Sequence, residues 1–278
     1  MSLTINPVAF NLGGLSVRWY GIIMAVAIVL AVSMAIIEGQ KRQIASDDFI
    51  DLLLWAVPLG YVGARIYYVI FEWPYYAKHP DQIIAIWNGG IAIYGGLIVG
   101  LIVLLIFCYR RLLPPFLMLD VITPGVMAAQ IVGRWGNFIN QEAHGGPTTL
   151  HFLQSLHLPQ FIIGQMKIGG TYYQPTFLYE SFFNLIGLIL ILVLRHRHHL
   201  FKQGEVFMLY VAWYAIVRFF VEGLRTDSLY LAGTIRVSQL VSVIMLVAAL
   251  GMFIYRRMKV KPKWYLDGSG LKYPYTRD

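Results

Sequence analysis

Four polar side chains share one face of an apolar segment in the last third of the sequence. They follow the spacing i, i+4, i+8 and i+11, which keeps residues on one side of a helix: Tyr214, Arg218, Glu222 and Arg225. A second set, in the middle of the chain, follows i, i+3 and i+7: Arg134, Asn137 and Gln141. Glu222 is a natural counter-ion for one arginine, and the excess of arginine over carboxylate predicts positive charge without a carboxylate partner. Such charge suits an anionic ligand such as a phosphate, to which a guanidinium group can donate two hydrogen bonds at once.

The positions of these residues along their segments predict that they lie at a similar depth in a membrane. A charged side chain inside a spanning helix costs on the order of 3 kcal/mol at the bilayer centre, so it implies a partner, a wet cavity or a function. At 1.5 Å per residue, Arg134, Arg218 and Arg65 lie roughly 25, 20 and 22 Å from the inner ends of their segments. Tyr20 and Tyr94 lie near the starts of segments that run the other way. We therefore expect five helices to bring polar groups to one level in the outer half of the membrane.

Other interpretations of the charged residues stay open. An arginine at a helix end can extend its stem to the membrane interface without binding a ligand, which applies to Arg18, Arg225 and Arg236. Arg65 can belong to a structural ion pair, although Asp120 lies too far toward the inner side to be its partner without a strong helix tilt.

The composition is that of a membrane protein. Hydrophobic residues make up 58% of the 278 positions, charged residues only 13%, and the mean hydropathy is +0.63. A soluble domain carries about 25% charged residues. Apolar stretches of roughly twenty residues, the length needed to cross the hydrocarbon layer, occur seven times. They lie near residues 17 to 37, 50 to 71, 89 to 109, 117 to 139, 176 to 195, 205 to 222 and 235 to 255.

These stretches predict an all-α integral membrane protein with seven transmembrane helices, folded as a single polytopic domain over residues 1–278. Of the 22 basic residues, 14 fall in segments that are cytoplasmic if the N-terminus lies outside, which favours an outside N-terminus and an inside C-terminus. The net charge of +8 then reflects this bias rather than binding of nucleic acid. We expect a small extracytoplasmic cap at residues 140–175 and a basic cytoplasmic tail at residues 256–278, near anionic lipid.

One segment carries a long motif. From Gly133 to Glu142 the sequence reads Gly-Arg-Trp-Gly-Asn-Phe-Ile-Asn-Gln-Glu, and Gly145 follows. It closely resembles the defining motif of the bacterial prolipoprotein diacylglyceryl transferases, G-R-x-G-N-F-I-N-x-E before a glycine. Three further segments fit in the order of that family, so that the resemblance spans nearly the whole chain: Trp19-Tyr20-Gly21, Gly89-Gly90 with Gly95-Gly96, and Tyr214 to Arg218 with Val221-Glu222.

The resemblance implies a multi-pass enzyme of the bacterial cell membrane. Its donor is phosphatidylglycerol, its acceptor is the thiol of a lipobox cysteine in a prolipoprotein signal peptide, glycerol 1-phosphate is released, and neither a cofactor nor a metal is required. By motif position, Arg134 holds the phospholipid head group. The residues that shape the site around it are Asn137, Asn140, Glu142 and Gly145. The second arginine is Arg218, with Tyr214 and Glu222 on its face, and Tyr20 matches the tyrosine of the first helix.

Two positions depart from the pattern of the family. Many members carry a histidine, proposed as the catalytic base, before the second glycine pair, where this chain has Tyr94. A His-Pro pair of some members, before the fifth helix, is Gln174-Pro175 here, although the following Tyr179-Glu180 matches. These differences weigh against a mechanism that depends on a single histidine.

A mechanism can still be assigned to the residues that are present. We expect Arg134 and Arg218 to stabilise the phosphate that leaves when the thiolate attacks the glyceryl carbon. Positive potential from the same arginines would favour the thiolate over the thiol, whose reference pKa is near 8.5. The acceptor of the thiol proton stays open among Tyr94, His144 and Glu142. A transporter or receptor for an anionic solute would also place arginines in an intramembrane cavity, and it is the alternative interpretation.

Overall fold

The fold is known from a computed structural model, which describes residues 4–226, 230–231, 234–273 and 275. The α-helices are α1 (Trp19–Lys41), α2 (Ser46–Phe71), α3 (Trp73–Tyr76), α4 (Ile93–Arg110), α5 (Pro115–Asn140), α6 (Leu150–Ser155), α7 (Gln160–Gln165), α8 (Thr176–Leu194), α9 (Glu205–Leu224) and α10 (Val237–Tyr255). The strands are short: β1 (Val8–Leu12), β2 (Leu15–Arg18), β3 (Pro147–Thr148), β4 (Lys167–Ile168), β5 (Thr171–Tyr173), β6 (Tyr230–Leu231) and β7 (Ile235–Arg236).

Seven helices of the described residues are long and apolar enough to cross a membrane: α1, α2, α4, α5, α8, α9 and α10. Each coincides with one of the seven apolar stretches, so the predicted all-α membrane architecture is confirmed. The outside N-terminus and inside C-terminus stay predictions.

Contacts within the chain define two compact units. The first contains Met1–Ala35 and Leu119–Leu266, and the second contains Ile36–Met118 and Asp267–Asp278. The single polytopic domain expected from the sequence stays a prediction.

In the first unit, polar contacts fix α5 against α8 and α9. The Ser181 hydroxyl of α8 donates to the carbonyl oxygen of Ile131 at 3.0 Å. The Gln130 amide of α5 donates to the Tyr210 hydroxyl of α9 at 2.8 Å. At the other end of α5, the Asp120 carboxylate accepts hydrogen bonds from backbone N–H groups at the start of α9, 2.5 Å from the nitrogen of Gly204. It thereby satisfies donors that a helix N-terminus leaves open.

Residues 141–175 form a small folded segment between α5 and α8, as predicted for the cap. Its three strands pair antiparallel in the order β3-β5-β4, beside α6 and α7. Its hydrophobic core contains Leu153, Ile162, Ile163 and Met166 of the segment itself. Phe138 from the end of α5 and Phe177 from the start of α8 complete this core. The fully buried Gln165 ties this segment to α5, because its amide nitrogen donates to the carbonyl oxygen of Ile139 at 3.0 Å. The extracytoplasmic location of the cap stays a prediction.

In the second unit, glycines allow α2 and α4 to approach closely. A Cβ atom at Gly63 would lie 2.9 Å from the carbonyl oxygen of Gly95, and one at Gly96 would lie 3.3 Å from that of Gly60. Backbones that come this close require small residues, which is common between membrane helices.

The described part of the basic tail is folded. Tyr265 is fully buried. Farther along, within the second unit, the backbone nitrogen of Ser269 donates to the carbonyl oxygen of Arg42 at 2.9 Å. The Tyr275 hydroxyl accepts a hydrogen bond from the nitrogen of Ala45 at 2.8 Å. The location of the tail in the cytoplasm stays a prediction.

Candidate active site

The two arginines that the sequence singled out meet at one carboxylate. Arg134 of α5 lies 2.5 Å from Oε1 of Glu180, which belongs to the first turns of α8. Arg218 of α9 lies 3.5 Å from Oε2 of the same residue. The Glu180 side chain is only 2% exposed, whereas Arg134 and Arg218 are 20% and 16% exposed. Three helices therefore hold a pair of guanidinium groups on a buried carboxylate while leaving each arginine partly accessible.

A second carboxylate and a third guanidinium group complete this cluster. Arg218 also forms an ion pair with Glu222, one turn along α9, at 2.5 Å. The backbone carbonyl oxygen of Glu222 accepts a hydrogen bond from the guanidinium group of Arg236. We refer to Arg134, Arg218, Arg236, Glu180 and Glu222 as the arginine cluster. From the sequence we expected positive charge without a carboxylate partner, whereas Arg134 and Arg218 both pair with carboxylates in the structure, because Glu180 of α8 adds a second carboxylate to Glu222.

Tyr214 lies beside this cluster, one turn before Arg218 on α9. Its side chain interacts with the guanidinium group of Arg134. Its ring stacks on that of Tyr210, with 6.1 Å between the ring centroids. The polar stripe predicted on α9 is therefore directed toward the arginine of α5.

The residues that follow Arg134 in the motif form a hydrogen-bonded turn at the end of α5. The Asn137 amide donates to Oε1 of Glu142 at 2.9 Å, and the Asn140 amide approaches the same oxygen at 3.4 Å. Gln141 and Ala143 both have a φ of 55°, which lets the chain reverse direction here. The motif thus builds a turn that fixes the Glu142 carboxylate.

Gly145 lies where three segments of the chain meet. Its nitrogen donates to the carbonyl oxygen of Gln174 at 2.9 Å, and it forms an isolated antiparallel bridge with Arg225. A Cβ atom there would lie 2.8 Å from Cβ of Gln174 and 3.0 Å from Cγ2 of Thr176. Only glycine fits here without displacing a neighbouring residue. The bridge to Gly145 holds Arg225 beside the cap segment.

His144 and the motif turn border a small cavity. Nδ1 of His144 lies 3.0 Å from the carbonyl oxygen of Gly145, and the imidazole packs on the Tyr173 ring at 4.2 Å between centroids. The cavity has a volume of about 10 Å³, room for about one water molecule. Its polar lining comes from Asn137, Gln141, Glu142 and His144. Within the described residues, no group of three or more His, Cys, Asp or Glu side chains could hold a metal ion.

Tyr20 contacts the motif directly. A Cβ atom at Gly136 would lie 2.7 Å from the Tyr20 ring. The second glycine of the motif therefore provides the space in which the tyrosine of α1 packs against α5.

Arg65 and Tyr94 belong to the second unit. Four N–H groups of Arg65 donate to the carbonyl oxygens of Gln82, Ile83, Gly89 and Gly90, at 2.6 to 2.8 Å. This side chain organises the loop before α4, and Tyr94 lies in the first turn of that helix. Direct roles of Arg65 in substrate binding and of Tyr94 in catalysis stay predictions.

From the sequence, Glu180 was noted only as a match to the family and was not placed in the site, and the contact of Arg236 was not predicted. A signal for Glu180 was present, because a carboxylate in an apolar stretch requires a partner for the same reason that an arginine does. Arg236 gave no such signal, since its position at a helix end is equally compatible with extension to the interface.

The chain is similar to known proteins over its whole length. A family model described as prolipoprotein diacylglyceryl transferase matches residues 7–255. The chain is also similar to proteins named phosphatidylglycerol–prolipoprotein diacylglyceryl transferase, of which three illustrate the range of identity. The one from Lactobacillus acidophilus is 82% identical over 276 residues, which is 99% of each chain. That from Lactobacillus delbrueckii subsp. bulgaricus is 73% identical over 277 residues, 100% of each chain.

The third relative, from Pediococcus pentosaceus, is 56% identical over 276 residues, 98% of this chain and 99% of its own. None of these names supports the alternative of a transporter or receptor for an anionic solute. The match covers the motif turn and every residue of the arginine cluster, on α5, α8, α9 and β7. This chain therefore belongs to the prolipoprotein diacylglyceryl transferase family.

Proposed function

We propose that this protein transfers the diacylglyceryl group of phosphatidylglycerol to the thiol of the lipobox cysteine of prolipoproteins and releases glycerol 1-phosphate. The observation that carries the proposal is the convergence of Arg134 and Arg218 on the buried carboxylate of Glu180. The relatives that share the sequence bear the name of this activity.

The arginine cluster can bind the phosphate of the donor. A guanidinium group has five N–H donors, and the ion pair of Arg134 with Glu180 engages one terminal nitrogen. Arg218 uses one terminal nitrogen for each of its two glutamates. Further donors remain for phosphate oxygens, and Glu180 holds both groups in place before the lipid arrives.

The same groups favour the chemical step. The thiolate sulfur forms a bond to the glyceryl carbon, the bond between that carbon and the phosphate oxygen breaks, and the electron pair leaves with the phosphate. Negative charge therefore increases on oxygens next to guanidinium groups that are already fixed in position. Donors arranged in this way stabilise a transition state more strongly than mobile water does.

Two candidate acceptors for the thiol proton lie in the turn that follows Arg134 on the chain. The exposed Glu142 carboxylate is held by Asn137 through Oε1. The imidazole of His144 has one nitrogen on the carbonyl oxygen of Gly145, so the other nitrogen can accept a proton when the first carries hydrogen. The rate of transfer as a function of pH should be measured for Glu142→Gln, His144→Gln and Tyr94→Phe. The proton acceptor is the residue whose substitution removes the rise of the rate with pH.

The finer location follows from the charge distribution. Basic residues dominate the segments that face inward if the N-terminus lies outside. We place the protein in the bacterial cell membrane with the cap segment and the arginine cluster toward the extracytoplasmic side. A signal peptide that crosses this membrane would bring its cysteine to the same level.

The test combines the purified full chain, vesicles of phosphatidylglycerol and a synthetic lipobox peptide. Mass spectrometry should detect a peptide that gains one diacylglyceryl group, together with glycerol 1-phosphate, and a peptide with serine at the cysteine position should gain none. Arg134→Gln and Arg218→Gln should each reduce the rate at least about 100-fold, as expected for groups that stabilise transition-state charge. Arg18→Gln, at an exposed arginine of β2, is the matched control. Full activity of Arg134→Gln, or transport of a labelled anion without lipid transfer, would contradict the proposal.

A further inference from the structure

A groove lies between α2 and α4 in the second unit, and it shares no residue with the arginine cluster. Its volume is ≈ 470 Å³, within the range of small-molecule sites. Five apolar side chains and two arginines line it: Trp55, Leu59, Val103, Ile106, Phe107, Arg110 and Arg111. We refer to it as the α2–α4 groove.

The groove lies beyond the glycine contact between the two helices, where larger side chains line it. Near Gly63 and Gly95, α2 and α4 lie in close backbone contact. Bulky residues replace the glycines farther along, with Trp55 about two turns from Gly63 on α2 and Phe107 about three turns from Gly95 on α4. The groove is therefore a feature that the sequence builds along about 10 Å of α4, from Val103 to its C-terminal end.

The two arginines at the end of the groove differ in their partners. Arg111 forms an ion pair with Asp51 at 2.6 Å and lies 3.7 Å from Asp48. The Arg110 side chain is exposed and forms no hydrogen bond or ion pair with any residue that the structure describes. Because the lining includes no carboxylate, an uncompensated guanidinium group stands at the end of an apolar groove.

This combination selects an amphiphilic anion. A free phosphate would leave the apolar floor uncovered, and Trp55 alone is 61% exposed. A purely apolar chain would make no use of Arg110. Basic sites between membrane helices near the inner surface bind anionic head groups. We propose that the α2–α4 groove binds one anionic phospholipid, with its phosphate at Arg110 and one acyl chain along the apolar floor, and that this lipid is not consumed by the enzyme.

Photolabelling of the full chain in phosphatidylcholine vesicles tests this proposal. The probe is a trace of phosphatidylglycerol with a photoactivatable group in one acyl chain, and labelled peptides are mapped by mass spectrometry. Peptides that contain Trp55 and Leu59 should be labelled more strongly than those of α10, which serve as the bulk-lipid reference. A phosphatidylcholine probe should not show this preference. Arg110→Gln should lower the preference about fivefold, as expected for one exposed charge contact, and Arg110→Lys should retain most of it.

A second variant tests the apolar part. Leu59→Trp fills the floor and should remove the preference while the guanidinium group remains. Equal labelling by the two probes, or an unchanged preference in Arg110→Gln, would show bulk lipid only and overturn the proposal. Crosslinks between groove peptides of two chains would also overturn it, since a second copy would then cover the groove.

The transfer assay separates this proposal from the assigned reaction. Arg110→Gln should transfer diacylglyceryl at the wild-type rate, because the bound lipid is not the donor. A transfer rate that falls in parallel with groove labelling would contradict a separate, non-reacting site. If Arg110→Gln loses the labelling of the groove and keeps the rate of diacylglyceryl transfer, the result supports a separate, non-reacting lipid site.

Discussion

Replacing Glu180 with glutamine tests whether one carboxylate organises the active site. The substitution keeps the shape of the side chain and removes the charge that Arg134 and Arg218 share. Breaking a buried ion pair costs about 3 to 5 kcal/mol because a charge is left unpaired. We expect the lower end, about 3 kcal/mol, since Arg218 keeps Glu222 and both guanidinium groups are partly exposed. For a chain of this size that corresponds to a thermal midpoint lower by roughly 10 °C.

The rate of peptide lipidation by Glu180→Gln should fall even at temperatures where the variant remains folded. Without the Glu180 carboxylate, no carboxylate that the structure describes pairs with both guanidinium groups, and misplacement by about 1 Å can cost 100-fold in rate. The measurements are the thermal midpoint of the purified protein and the initial rate of peptide lipidation at a temperature well below that midpoint. Glu142→Gln is the control for stability, since this exposed carboxylate is held by amide groups and its loss should change the free energy of unfolding by less than about 1 kcal/mol.

A double substitution makes the result decisive. If Arg134 and Glu180 depend on each other, Arg134→Gln with Glu180→Gln should be more stable than the sum of the single effects predicts, by about 1 to 3 kcal/mol. Strict additivity, or a Glu180→Gln protein with the wild-type midpoint and rate, would refute the reasoning.

Three further predictions concern other parts of the chain. Arg65→Gln removes the donors to four carbonyl oxygens between residues 82 and 90 and should lower the free energy of unfolding by about 3 kcal/mol; Arg65→Lys should not restore it, because lysine lacks the planar fork. Gly136→Ala should lower the free energy of unfolding by about 1 to 3 kcal/mol, because the added methyl group overpacks against the Tyr20 ring. Adding Tyr20→Ala to that variant should restore part of the lost thermal midpoint. Burial raises the pKa of Tyr275 from about 10 to about 12. The neutral Tyr275 phenol therefore contributes its full stabilisation of the tail below about pH 10, and this stabilisation is lost as the pH rises through about 12. Hydrogen exchange at residues 267–273 should show the loss of protection over this pH range. Tyr275→Phe should lack the transition.

The seven membrane helices could be predicted because apolar length alone specifies them. The stretch expected at residues 117 to 139 is Pro115–Asn140 in the structure, and that at 17 to 37 is Trp19–Lys41. The β1–β2 hairpin was missed although its local signal is present. Gly13 and Gly14 both adopt positive φ between the two strands, as a two-residue hairpin turn requires.

The active site could be predicted only in part. Spacing along α9 and α5 identified Arg218 and Arg134, because residues on one face of a helix can be read from the sequence. The partner from a third helix could not be assigned, since an apolar helix gives no indication of its rotation about its own axis. Glu180 was thus visible as a residue but not as the point where the arginines meet. For Arg65, only the folded loop reveals that the guanidinium group donates to backbone carbonyls.

The fixed guanidinium groups of the arginine cluster suit the proposed reaction. Arg134 and Arg218 keep N–H donors that their ion pairs with Glu180 and Glu222 do not use, and a phosphodiester donor brings one negative charge to them. The departing phosphate monoester approaches two negative charges near neutral pH, since its second pKa is about 6. The attraction therefore increases as the bond to carbon breaks. Interactions that strengthen toward the transition state accelerate a reaction, whereas equal binding of both states does not.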